Sequence, residues 1–176
     1  PDLNLNISRE LLQHDRQLKV IATSLEKKVR GELERLLREE RETYESFYRQ
    51  FNRRLKFGVM DNFGAKKDVL QDLLLFYSSK EKKLVTLKEY LERMPEGQSR
   101  IYYAVGDDVA ALDQLPQAEL VREKDMEILY LTDKSDSFLV DMLQQYGDKP
   151  FCSVADGDLG LESDEGAGEA EAELYK

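Results

Sequence analysis

RIYYAVG, Arg100 to Gly106, is the stretch on which the fold turns. Before it, apolar residues recur every three or four positions. Here they run together, rich in β-branched and aromatic side chains, and stop at a glycine, the signature of a short strand. Downstream, Val109, Ala110, Leu112, Leu115, Leu120 and Val121 restore a helical period, with Pro116 placed to bend or split it. EILYLT (Glu127 to Thr132) is a second strand, SDSFLVDMLQQY a helix closed by Gly147, and PFCSVA a third strand. Strands joined by ten to twenty residues of helix require parallel crossovers. The expected fold class is therefore α/β. It has a short, mainly parallel βαβαβ sheet with helices on both faces, a small three-layer α/β/α sandwich over residues 61–155.

Upstream, residues 9 to 56 have a helical pattern. Leu18, Ile21, Leu25, Val29, Leu33, Leu36 and Leu37 form one apolar stripe between Lys, Arg and Glu. Tyr44, Phe47, Tyr48, Phe51 and Leu55 start a second register. A single helix of this length would expose its stripe, so two or three helices folded on each other are expected, a helical coil over 14–60. Gly31 marks a break or a close helix contact. DNFG (Asp61 to Gly64) is a turn cluster, and AKKDVLQDLLLFYS is expected to be helical through Val69, Leu70, Leu73 and Leu74. In TLKEYLERM, Thr86 and Glu89 stand at capping-box spacing, and Pro95 and Gly97 end that helix.

Charge is unevenly spread. Eight acids and one base lie between Asp156 and Lys176, so seven of the ten net negative charges sit there and the other 155 residues carry only −3. A balanced body argues against broad nucleic-acid binding, which needs a basic face. The segment 156–176 is Gly-, Ala- and acid-rich and is expected to be a linker or disordered tail. No signal peptide or long apolar run is present, so no membrane partner is expected and a cytoplasmic location is. Pro1 stands where an initiator Met would, which reads as a piece of a longer chain.

Candidate chemistry is sparse. No Gly-rich phosphate loop follows any strand. YAVGDD puts two acids at the C-terminal end of a strand, where α/β sheets bind ligands. A helix cap at Asp107 or Asp108 explains the same residues, and a magnesium or ribose site is the alternative. One His and one Cys cannot build a metal cluster, so no metal is expected. Cys152, in an apolar run, reads as a buried strand thiol, and His14 as an ordinary surface or interface residue. Tyr102, Tyr103 and Tyr130 are expected to pack in the core with hydroxyls at the rim. On its helix Leu139, Met142 and Leu143 supply a core stripe, which leaves Phe138 at the edge, either buried or a partner contact.

LNLNISRELLQ, Leu3 to Gln13, poses the remaining question. Ser8 reads as a helix N-cap, and Arg9 follows it where the helix field favours anions. Arg9 either pairs with a neighbouring acid such as Glu10 or meets an external anion. A guanidinium suits phosphate because it is planar, permanently charged and bidentate. Gln13 lies one turn later on the same face.

These letters carry a resemblance. LNISRELLQHDRQLKVIATSLEKKV resembles the middle domain of the heat-shock protein 90 chaperone family, bacterial HtpG type. The likeness continues through ESFYRQFNRRLKFGVMDN, LLLFYSS, LVTLKEYLERMPEGQSRIYY, EILYLTDKSDSF and KPFCSV, in family order, to about residue 162. Asn4 stands where the family commonly has Pro, and the tail beyond Glu162 has no evident counterpart. The resemblance implies that residues 1–13 are a catalytic-loop segment. It implies that Arg9 reaches the γ-phosphate of ATP held, with magnesium, by an N-terminal domain outside this chain. Gln13 would assist, and Leu5 and Asn6 would form the inter-domain contact. It further implies client proteins as partners, with Phe138 near the client surface, and a parent that dimerises through a C-terminal domain. The chain alone would not be an enzyme. Two other functions fit the residues: a phosphate-handling α/β enzyme with its site near Gly106 and Thr132, and a helical adaptor.

Overall fold

The computed structural model describes residues 2–133, 135–156 and 159–161, with residues 2–12 given by their backbone alone. The chain divides after Gln50 into two compact units.

The first unit is helical. Helix α1 runs from Asp2 to Glu39, and α2, from Arg41 to Met60, begins in this unit and has its residues from Phe51 on in the second. The pattern of bonds four residues back survives their junction, since Glu40 N donates to Leu36 O at 2.8 Å and Tyr44 N to Glu40 O at 3.0 Å. The expected fold-back of two or three helices is therefore overturned: no turn interrupts α1, and Leu18, Ile21, Leu25 and Val29 stay exposed, Leu25 at 56%. Gly31 marks neither a break nor a tight contact. The helix continues through it, and a Cβ there would meet nothing within 4 Å. Ser8 is not the N-cap, because α1 begins six residues before it. The tyrosines of the second register stack, with the Tyr44 and Tyr48 centroids 6.3 Å apart.

The second unit is built on one six-stranded sheet in the order β2-β1-β4-β3-β6-β5. Its strands are β1 (Phe76–Ser78), β2 (Leu84–Val85), β3 (Ile101–Val105), β4 (Ile128–Leu131), β5 (Gln145–Tyr146) and β6 (Lys149–Ser153). The three strands expected from sequence, β3, β4 and β6, form its parallel centre, with Tyr103 opposite Leu129 on one side and Ser153 on the other. The sheet as a whole is mixed, because β1 and β5 join it antiparallel.

Two expectations fail at those additions. The segment expected to be one helix from Ala65 is instead a short helix α3 (Lys67–Leu70), a 3-10 turn (Gln71–Leu73) and then strand β1. Leu73, Leu74, Leu75 and Phe76 are all buried, and a continuous apolar run does not distinguish helix from buried strand. Helix α7 (Asp136–Leu143) ends at Gln144, which adopts φ +60°, and Gly147 instead turns the hairpin between β5 and β6 at φ +62°.

Local signals place the other helices. Helix α4 (Leu87–Arg93) carries a complete capping box, with Glu89 N on Thr86 Oγ1 at 3.1 Å and Thr86 N on Glu89 Oε2 at 2.7 Å. Asp108 caps α5 (Val109–Asp113), and Pro116 opens a separate α6 (Pro116–Glu123). Helices α5 and α6 connect β3 to β4 on one side, while α7 leads from β4 past β3 toward β6 on the other. Right-handed crossovers in opposite directions put their helices on opposite faces. Tyr102, Ala104, Ile128 and Tyr130 pack with Leu112, Ala118 and Val121 on one face. Strand alternation turns Leu129 and Leu131 to the other, and α7 buries Leu139, Val140 and Leu143.

Of the three tyrosines, Tyr130 has the expected buried ring and partly exposed hydroxyl, while the Tyr102 hydroxyl lies inside the core rather than at its rim. Tyr102 and Tyr130 are buried, and their hydroxyls donate to Leu159 O at 2.8 Å and Asp113 Oδ1 at 2.7 Å; Tyr103 is half-buried. Cys152 is a buried strand thiol. Leu159, inside the segment whose composition promised little burial, lies in the core.

Candidate functional site

The proposed anion-contacting residues all belong to α1. Leu5, Arg9 and Gln13 are spaced four apart, so each step rises about 6 Å and returns to one side of the helix. The side chains of Leu5, Asn6 and Arg9 lie outside the described residues. Gln13 and His14 are exposed. Because α1 starts at Asp2, Arg9 stands beyond the first turn, where the helix field has faded. The electrostatic puzzle posed by an N-cap at Ser8 therefore dissolves, while the spacing of Arg9 and Gln13 is unaffected.

Phe138 belongs to the second unit. One side of α7 is held down by Asp136, Leu139, Val140 and Leu143, all buried. Phe138 lies on the other and is 67% exposed, which decides the question its helix position left open. The base of α7 is firmly tied. Buried Asp136 pairs with buried Lys56 of α2. Asp133 accepts from Ser135 N at 3.0 Å and Ser135 Oγ at 2.9 Å, and from Arg53 Nε at 3.1 Å. Those donors, Ser135 first, hold the Asp133 carboxyl down at about 2. An exposed aromatic on a tied helix is a ready-made contact for an apolar partner.

Among the described residues three further phenylalanines are exposed that the sequence analysis did not mark as such: Phe51, of the second apolar register, and two others. Phe57 on α2 is exposed, and Phe63 is 95% exposed. Asn62 and Phe63 both take left-handed backbone, at φ 49° and 55°. The DNFG turn cluster was the available signal for Phe63, since Asn and Gly favour such geometry.

The strand ends near Gly106 and Thr132 offer less to a ligand. Asp108 Oδ1 is engaged as the α5 cap by Ala111 N at 2.8 Å. Gly106 serves packing, since a Cβ there would sit 2.7 Å from Leu112 Cδ2. Among the described residues no group of three or more His, Cys, Asp or Glu could hold a metal ion, and no helix is long and apolar enough to cross a membrane.

The family model described as Hsp90 protein matches residues 1–176. The chain is 58% identical over 175 residues to the chaperone protein HtpG of Bacillus subtilis, covering 99% of this chain and 28% of that protein. It is 59% identical over 164 residues to the HtpG of Oceanobacillus iheyensis, covering 93% and 26%. It thus spans about a quarter of the length of these curated relatives. The Bacillus match also takes in the acidic segment beyond Glu162, correcting the expectation that this tail has no counterpart. Among solved structures, the middle domain of a putative heat shock protein of Plasmodium falciparum superposes with a TM-score of 0.74 at 23% identity, over 81% of this chain and 60% of that one. That likeness speaks to the fold: a helical part followed by a mixed sheet with helices. With the family match running from the first residue to the last, the chain belongs to the Hsp90 protein family.

Proposed function

We propose that this chain is the middle segment of an ATP-dependent chaperone and that Arg9 acts across a domain boundary. The N-terminal ATPase domain of the parent binds ATP and its magnesium. Arg9 meets the γ-phosphate, Gln13 supports it from one turn away, and Leu5 and Asn6 line the inter-domain contact. The chemistry ATP supplies is phosphoryl transfer to water. The guanidinium offsets the charge that accumulates on the phosphoryl oxygens in that step. The observation that carries this reading is the match to HtpG chaperones across 99% of the chain, the Leu3–Gln13 segment included. Client polypeptides dock on the exposed aromatic of α7, Phe138. The parent is cytoplasmic and dimerises through a C-terminal domain, and the chain alone neither hydrolyses ATP nor binds it tightly.

The test is Arg9→Ala in the full-length parent under saturating ATP. Turnover falls by about tenfold or more, less than the loss of an arginine finger in a GTPase, because domain closure limits chaperone turnover. Arg9→Lys recovers only part of it, since an ammonium lacks the bidentate fork. Unchanged turnover in Arg9→Ala rejects the role. Saturable micromolar ATP binding by the 176-residue chain alone would transfer the site to the strand ends near Gly106 and Thr132.

A further inference from the structure

Asn62, Phe63 and Gly64 take left-handed backbone in succession, at φ 49°, 55° and 77°. Glycine adopts that conformation freely and asparagine readily, but a bulky L side chain there crowds its own carbonyl. Phe63 has almost no packing to offset the strain, because it is 95% exposed. The backbone beneath it is nevertheless held. Gly64 is buried, Ala65 N donates to Asn62 O at 3.3 Å, and the turn lies against α7. On one side of the turn Lys56 pairs with Asp136, at the start of α7. On the other, Lys67 Nζ donates to Leu143 O, at the end of α7, at 3.4 Å. Residues 56–67 therefore follow α7 along its length and set Phe63 beside the helix that presents Phe138. Phe57 is exposed on the same stretch. The charge around these rings leans acidic. Arg53 is taken by Asp133 and Lys56 by Asp136. Asp61, Asp68 and Asp141 are exposed, against Arg54 and an already engaged Lys66 among the described residues.

We propose that this strained turn is retained to present Phe63 to client polypeptides, which it holds together with Phe138 and Phe57. Backbone strain without a local return collects where a function needs the geometry. The occupant is an unfolded segment with aromatic or aliphatic side chains among lysines and arginines. Its apolar groups cover the three rings, and its cations meet Asp61, Asp68 and Asp141 around them. A cation over an exposed ring face is attracted as well. The inference rests on the reading of Phe138 as a client contact, and adds to it two further rings and a preference for basic clients.

The test titrates the native 176-residue chain with a fluorescent peptide of Phe and Leu with Lys at every third position, and with the same peptide carrying Glu for Lys. Phe63→Gly and Phe63→Asn both remove the ring and suit positive φ. Each should weaken binding of the Lys peptide by about fivefold or more. Each should unfold at the temperature of the unsubstituted chain or up to ~5 °C above it. Phe63→Tyr keeps the ring and should bind as the unsubstituted chain does. The Glu peptide should bind about tenfold more weakly than the Lys peptide. Unchanged binding in the two variants without the ring overturns the proposal. So does a fall of more than about 5 °C in their unfolding temperature, which would mean that the ring packs. A Glu peptide bound as tightly as the Lys peptide overturns the basic client class. Phe138→Ser is measured alongside. If it alone weakens binding, only the role of Phe63 falls; if neither position matters, the reading of Phe138 falls with it.

Discussion

The hydroxyl of Tyr90 on α4 donates to the main-chain carbonyl of Glu127 at 2.8 Å, tying the helix to the residue that enters β4. It also accepts from Tyr102 N at 3.1 Å and from Gln98 Nε2 at 2.9 Å, and the ring is fully buried. Burial pushes the phenol well above its ordinary pKa and keeps it protonated as a donor. Tyr90→Phe preserves the ring but removes its bonds to Glu127 O and from Tyr102 N and one of the two that Gln98 Nε2 makes, the other going to Arg100 O. The loss should be about 1–3 kcal/mol, read as a lower urea midpoint at unchanged m-value.

The Lys56–Asp136 pair makes an opposite kind of prediction. Both residues are buried, and their ion pair joins the end of α2 to the start of α7. Lys56→Met leaves a carboxylate in the interior without its cation and should cost about 3–5 kcal/mol. Lys56→Met combined with Asp136→Leu removes both charges and should recover most of that loss. Urea unfolding of the two single variants and the double variant gives the coupling directly.

Asp133 titrates near 2 in the folded chain against an ordinary 3.8. The unfolded state therefore takes up the proton first as pH falls. The stabilisation is complete above about pH 4 and is lost progressively down through about pH 2. Asp133→Asn should be less stable than the parent chain at neutral pH, and the two should converge in strong acid. Urea midpoints collected across that range test the sign, and a gap that widens on acidification refutes it.

Phe138 is exposed on the face of α7 opposite its buried residues, so Phe138→Ser should change stability by less than about 0.5 kcal/mol. In the full-length parent the same substitution should weaken suppression of client aggregation while leaving ATP turnover intact. A large loss of stability would mean the ring packs rather than presents.

Legibility in the sequence followed the range of the forces involved. Thr86 and Glu89 act within one helical turn and marked their boundary correctly; of the two candidates Asp107 and Asp108 the cap is Asp108, and of the two outcomes open for Pro116 it is the split that occurs. Arg100 to Gly106, Glu127 to Thr132 and Pro150 to Ala155 announced strands because β-branched and aromatic residues sat between turn residues. The run from Leu73 to Phe76 did not announce one, since four successive apolar residues fit a helix interior as well as a buried strand. Phe138 was legible as an edge position; its exposure needed neighbours that the helix pattern does not supply.

By itself, then, the sequence determined the α/β class, the existence and parallel connection of the three central strands, the helical segments between them and, through SRELLQ and the segments that follow it, the family. These are local or motif-level properties, written in residues near one another. Tertiary structure alone decided that β1 pairs antiparallel with β4, that α1 runs on with Leu18, Ile21, Leu25 and Val29 exposed while Leu33 of the same stripe is buried, and that Leu159 returns to the core beneath a tyrosine fifty-seven positions earlier. Each of those outcomes depends on which surfaces meet after the chain collapses. Burial and strand pairing join residues far apart in the chain, and no short window of letters contains both partners.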